Sequence, residues 1–274
     1  MTATTPLTWL YVPGDRPPVV AKALTAGADV VVIDLEDAVA PDRKEYARAA
    51  TAELLADARP SPAVPVHVRV NALDGPWAAA DLRSVAPLPG LAGLRLPKVT
   101  DAEQVVGVAR RWGRPLYALL ESALGVERAF AIASADPALR GIALGETDLR
   151  ADLGAREDTG LDWSRSRVIV AARAAGLAPP PQSVHPDLHD LAGLAASCAH
   201  GRALGFLGRA AIHPRQLAVI ECAYLPTRAE IEEAETVVKA ATEEAGAQAL
   251  PDGRFVDTAV VAAARRTLSL ARRG

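Results

Sequence analysis

The chain has 274 residues, half of them apolar, with 30 basic and 33 acidic side chains and a formal net charge of −3. That composition can bury a sizeable core, and the near-balance of charge excludes a general pull toward nucleic acid or an anionic membrane surface. No apolar run is long enough to span a membrane. The opening MTATTPLTWL lacks the regions of a signal peptide, and Cys198 and Cys222 form no disulfide framework. Two buried thiols in a reducing, cytoplasmic compartment are expected.

The organising pattern is a short apolar run followed by a stretch of helical periodicity. In chain order, strands are expected at 7–13 (LTWLYVP), 29–33 (DVVVI), 64–71 (VPVHVRVN), 91–97 (LAGLRLP), 116–121 (LYALLE), 141–144 (GIAL), 181–184 and 210–212. The seventh is the weakest, because PPPQSV holds few strand formers. Helices are expected at 19–26, 44–57, 102–112, 125–135, 164–176, 190–205 and 215–224, with a short, poor one at 81–86. Pro41, Asp101 and Pro214 are suitable starts, and Gly27, Gly113, Gly176 and Gly205 suitable stops.

Eight β units of roughly 25–30 residues each match a (β/α)₈ TIM barrel of about 250 residues. The rival, an open doubly wound sheet, would need a glycine-rich first turn, and no G-x-G-x-x-G follows any strand. After Tyr224 the pattern changes to a charged amphipathic helix at 227–246, a turn (LPDGRF) and a last helix at 258–273. Residues 1–224 are therefore read as the barrel catalytic domain. Residues 225–274 are read as a C-terminal helical extension, too apolar on one face to be loose, packing on the barrel or a neighbouring subunit.

In a barrel, residues at the C-terminal strand ends face the active site. Here those ends read Pro13-Gly14-Asp15-Arg16, Asp34-Leu35-Glu36-Asp37, Arg69-Val70-Asn71, Lys98, Glu121-Ser122, Gly145-Glu146-Thr147-Asp148, His185 and His213-Pro214. Any single carboxylate after a strand is explained equally well as a helix N-cap. Five together (Glu36, Asp37, Glu121, Glu146 and Asp148), with few compensating cations, would repel one another, and a bound divalent ion relieves that. Mg²⁺ suits such a rim, since it takes one or two carboxylates, waters and substrate oxygens. His185, His189 and His213 raise zinc as an alternative, but no Cys/His spacing matches a structural zinc site.

Taken together, these blocks resemble the β subunit of citrate lyase and its stand-alone relatives, within the HpcH/HpaI aldolase superfamily. The matching runs are LYVPGDRP (10–17), GADVVVIDLEDAVAPDRKEYAR (27–48), VRVN (68–71), LPK (96–98), LLESALGV (119–126), LGETDLRADLG (144–154), ALGFLGRAAIHPRQ (203–216) and FVD (255–257). The resemblance implies a trimeric or hexameric TIM barrel with Mg²⁺ on Glu121 and Asp148. It implies metal-bound water held by Glu36 and Asp37, and a keto-acid carboxylate clamped by Arg69. It also implies that Asp257, on the C-terminal segment, enters a neighbour's site. Three positions depart from the family: Leu7-Thr8, Ser183-Val184-His185 and Ala259.

The implied reaction is cleavage of a 3-hydroxyacyl-CoA of citryl, malyl or citramalyl type to a keto acid and an acyl-CoA, or the reverse condensation. Arg69 would hold a carboxylate through two parallel hydrogen bonds, and Asp257 in a dry site would act as the base. Each residue also has a structural reading. Arg69 would pair with a barrel carboxylate, Asp257 would cap the last helix, and Arg16 and Lys22 would be a solvated face rather than a contact for the CoA diphosphate. His213 is read as stiffening its turn. Alternatives are a CoA-independent, metal-dependent aldolase, a subunit acting on an acyl-carrier-protein thioester inside a citrate lyase complex, and a barrel that binds CoA esters without turnover.

Overall fold

The computed structural model describes residues 5–56, 64–243, 248–249 and 255–272. Residues 6–221 form one compact unit, and the residues from 222 onward belong to a second. The first unit opens with β1 (Thr8–Pro13), α1 (Pro17–Ala23), β2 (Val30–Asp34), α2 (Lys44–Ala56), β3 (Val66–Arg69), α3 (Ala78–Val85) and β4 (Leu91–Leu96). It continues with α4 (Ala102–Trp112), β5 (Leu116–Leu120), α5 (Ala123–Glu127), α6 (Ala129–Ala133), β6 (Leu139–Leu144), α7 (Glu146–Leu153), α8 (Asp162–Ala174), α9 (Leu191–Leu204) and β7 (Arg209–Ala211), and α10 (Leu217–Tyr224) begins in this unit and ends in the second.

The seven strands make one parallel, curled sheet in the order β6-β5-β4-β3-β2-β1-β7. The segment expected as the seventh strand joins it through a single bridge, Gln182 to Arg209. The cause is its run of prolines, which donate no backbone hydrogen bond. Gln182 still donates its amide to Gly208 O at 2.9 Å and accepts from Ala210 N at 3.0 Å, so the chain lies along the sheet edge. Val30, Val31, Val32 and Ile33 on β2 are all buried, as parallel strands covered on both faces require.

Several helices end where local chemistry dictates. The α4 helix starts at a reciprocal capping box between Asp101 and Gln104 and stops at Gly113 in the left-handed region. The helix expected over 125–135 is two, broken at Arg128 (φ −90°, ψ 10°). The Gly145–Asp148 run, read as the polar end of the sixth strand, opens α7, which carries acids in its first turn, Arg150 in its last and a left-handed Gly154 as its stop. Cys198 is buried as expected, but Cys222 is exposed. No helix among the described residues is long and apolar enough to cross a membrane.

The second unit holds α11 (Arg228–Glu243), β8 (Gln248–Ala249), β9 (Phe255–Val256) and α12 (Thr258–Ala271). The far ends of the expected elements 44–57, 227–246 and 258–273, and most of the LPDGRF turn, lie outside the described residues. The amphipathic faces of α11 and α12 meet each other, with Ala234, Val237, Val256 and Ala264 buried between them. This segment therefore carries a small core of its own. Asp257 is the N-cap of α12, accepting from Ala259 N and Val260 N at 2.9 Å each.

Candidate active site

The β2 strand delivers Asp34 as its last residue, which is 1% exposed. Its carboxylate accepts from the amides of Glu36 (2.9 Å) and Ala38 (3.1 Å), folding the DLED loop back on itself. Buried Lys44 clamps that loop from below, donating Nζ to the carbonyls of Leu35 (2.7 Å) and Glu36 (2.6 Å). Asn71 adds a third tie, from Nδ2 to Leu35 O at 2.9 Å, and is itself held by Asp81. Glu36 is thereby fixed facing inward, while Asp37 stays exposed.

Arg69, at the end of β3, lies level with Asp34 in the β2–β3 register. Its Nε and Nη2 form a fork on Asp34 at 2.8 and 2.6 Å. Its Nη1 is 2.9 Å from Glu36 Oε2 and 3.7 Å from Asp37, ion-pair distances. The Glu36 contact lacks hydrogen-bond alignment, so Oε2 stays unsatisfied. The barrel-carboxylate reading of Arg69 is thus realised, and only its Nη1 edge points to Glu36 and Asp37.

Lys98 follows β4 and is the one non-glycine among the described residues with positive φ, 53°. That strained backbone aims Nζ among three carboxylates: Glu36 at 2.5 Å, Asp37 at 3.5 Å and Asp148 at 3.8 Å. The expectation of few compensating cations is therefore wrong. Arg69, Lys98 and Lys44 neutralise this rim, and Glu146 turns away to Arg165, which grips it through two bonds at 2.9 and 2.7 Å.

Glu121, just beyond β5, is the exception. It is 5% exposed, and its Oε2 has no hydrogen-bond partner. Burial first, and the nearby Glu36 charge second, push its carboxyl up to about 8. Burial also raises Glu36, against the pull of Arg69 and Lys98. Gly145 packs directly on Glu121: a Cβ there would overlap Glu121 Cγ and lie 2.6 Å from Oε1. Asp148 projects from the first turn of α7, its side chain 45% exposed. The amide of Glu146 donates to Ser183 at 3.2 Å, tying α7 to the Gln182 segment.

Several of these groups open on a cavity of ≈ 400 Å³, lined by Tyr11, Asp34, Arg69, Arg95, Glu121, Asp148 and others. Among the described residues no three His, Cys, Asp or Glu side chains are grouped as a metal cage. An ion that keeps several waters and uses one or two carboxylates remains compatible, and the unsatisfied Glu121 oxygen fits it. His213 accepts from Arg215 N at 3.1 Å, the stiffening expected of it. Arg16 and Lys22 are exposed on and before α1. Asp257 belongs to the second unit.

Sequence reasoning placed Asp34 and Lys98 at strand ends facing the site without giving either a role, and did not single out Lys44. Strand alternation signalled Asp34, since residues 30, 32 and 34 share a face. Helical spacing signalled Lys44, since it sits on the buried face of α2 with Ala47, Thr51 and Leu55.

The family model described as HpcH/HpaI aldolase/citrate lyase matches residues 7–214. A (3S)-malyl-CoA thioesterase of Cereibacter sphaeroides is 37% identical over 270 residues, covering 96% of this chain and 93% of that protein. The citrate lyase subunit beta of Escherichia coli is 36% identical over 284 residues, covering 96% and 92%. Among solved structures, protein CitE from Mycobacterium tuberculosis, in complex with magnesium, acetoacetate and coenzyme A, superposes with a TM-score of 0.84 at 36% identity. That match covers 99% of this chain and 100% of the other.

Proposed function

The chain belongs to the HpcH/HpaI aldolase/citrate lyase family, and from that premise we propose a Mg²⁺-dependent carbon–carbon lyase acting on a 3-hydroxyacyl-CoA of citryl, malyl or citramalyl type. The fold is read as a full (β/α)₈ barrel, with the Gln182 segment as its remaining stave and residues 225–274 as an extension. The observation that carries the reading is Glu121, a buried carboxylate with an unsatisfied oxygen, placed with Asp148 on a cavity that also presents Arg69. The relatives support it through the magnesium and coenzyme A bound by protein CitE.

Glu121 and Asp148 are the proposed Mg²⁺ holders. The ion would lower the pKa of the substrate hydroxyl and offset charge on the keto-acid oxygen. Arg69, anchored by Asp34, offers its Nη1 edge to the substrate carboxylate, and Lys98 holds Glu36 and Asp37 in place beside it as water holders. In the cleavage direction the hydroxyl passes its proton to the water held by Glu36 and Asp37, and its oxygen becomes the keto group. The C–C bond breaks with its electron pair passing to the thioester as an enolate, and a proton delivered to carbon completes the acyl-CoA. We assign that delivery to Asp257 of a neighbouring copy in a homotrimer or hexamer, with Arg16 and Lys22 as contacts for the CoA diphosphate.

A second reading, hydrolysis of the thioester, is favoured by the malyl-CoA thioesterase relatives at the same level of identity. Calorimetric titration with Mg²⁺ tests the metal assignment. Binding is expected in the parent and lost in Glu121→Ala and Asp148→Ala, and unchanged affinity in both variants removes it.

A further inference from the structure

Tyr11 and Arg95, both on the cavity wall, adjoin a buried aromatic cluster. Trp9, Val30 and Val32 form a buried apolar cluster with Tyr11 packed against it. The rings of His67 and Tyr117 lie beside each other, centroids 4.6 Å apart. Gly93 makes room for both: a Cβ there would sit 2.9 Å from the Tyr117 ring and 3.0 Å from His67 Nε2. Gly141 does the same on the other side of Tyr117, at 3.1 Å.

Into this cage projects Arg95, 2% exposed. Its guanidinium carbon lies 5.4 Å from the Tyr117 ring, 5.7 Å from Tyr11 and 5.9 Å from Trp9. Its polar contacts are sparse: Nη1 reaches Tyr11 Oη at a long 3.4 Å, and Nε has no partner. No carboxylate pairs with it among the described residues. Arg69 is its opposite number in the β3–β4 register and is matched by Asp34, Glu36 and Asp37. A buried cation without an anion is costly, and ring faces offset only part of that cost. Arg95 nevertheless lines the same cavity as Arg69 and Glu121, so an anion entering that cavity can reach it.

We propose that Arg95 is the floor of an anion subsite that takes a second carboxylate of the substrate. On the keto-acid reading given above, which this inference extends, the site then prefers a keto acid bearing two carboxylates over one bearing a single carboxylate. The Arg69 edge and the rim handle the carboxylate next to the keto group, and Arg95 receives the distal one. A keto monoacid leaves Arg95 unmatched.

The test is calorimetric titration of the full-length protein, with Mg²⁺ present, using oxaloacetate, pyruvate and malonate. The parent is expected to bind oxaloacetate at least tenfold more tightly than pyruvate. Arg95→Met, which keeps the length and removes the charge, should erase that preference by weakening oxaloacetate alone, with pyruvate moving less than twofold. If the Met variant does not fold, Arg95→Gln reads the same way. An unchanged ratio in the folded variant, or an equal loss for both acids, overturns the subsite. Malonate, a diacid with no keto group, separates the two claims. If the parent binds neither keto acid, the keto-acid reading falls. In that case tenfold loss of malonate binding in the variant keeps the subsite, and malonate binding that is absent or unchanged removes it.

Discussion

Glu121→Gln converts the proposed metal ligand into a neutral isostere, and its consequence for stability can be worked from the site. Burial beside Glu36 raises the Glu121 carboxyl from 4.5 to about 8. An acid with a raised folded-state pKa favours the folded protein most at low pH, where it is protonated in both states. It withdraws that advantage as pH climbs from its ordinary value toward its folded one. The loss accumulates at about 1.4 kcal/mol per pH unit, so at pH 7 the metal-free parent carries a penalty of about 3 kcal/mol. The uncharged glutamine side chain of the variant carries none. Urea denaturation in EDTA should therefore show the variant level with the parent near pH 4.5 and more stable by about 3 kcal/mol at pH 7. The gap should level off above pH 8. Saturating Mg²⁺ should close it by stabilising the parent alone, by about 2.7 kcal/mol at one hundred times the dissociation constant. A gap that does not change with pH, or a variant less stable than the parent at pH 7, refutes the reasoning.

Gly145→Ala places a methyl against Glu121 on a backbone (φ −100°) that alanine adopts freely, so Mg²⁺ affinity should fall at least tenfold in calorimetry while the fold survives. Arg69→Lys keeps the charge but cannot fork Asp34, so oxaloacetate or glyoxylate binding should weaken by about 1–3 kcal/mol, and equal binding makes Arg69 purely structural. Mixing Asp257→Ala with Glu121→Ala should restore activity if Asp257 acts in a neighbouring copy, and no rescue in verified hybrids places it in the capping role alone.

Much of the architecture was legible because parallel strands here are short apolar runs set between helices with clear stops such as Gly113 and Gly205. What escaped was set by tertiary context. The proline-rich segment around Gln182 needed its neighbour, Arg209, to show how it lies along the sheet. The α7 helix hid inside a motif read for chemistry, although its acidic first turn and Gly154 stop were visible. In the site, the carboxylates were countable, but their partners were not. Glu146 is claimed by Arg165 from α8, nineteen residues on, while Lys98 reaches Glu36 across sixty-two. The apolar face of the C-terminal helices was correctly seen, and its burial between α11 and α12 needed the structure.

The central claim is that the cavity breaks a carbon–carbon bond, and the two products of that step decide it. Citryl-, malyl- and citramalyl-CoA should each be incubated with the protein and Mg²⁺, with keto acid and free thiol followed in parallel. At least one substrate should release keto acid in step with its loss, with CoA still esterified as the shorter acyl thioester and no turnover in Glu121→Ala. Free thiol appearing without keto acid would contradict the account and identify thioester hydrolysis as the reaction.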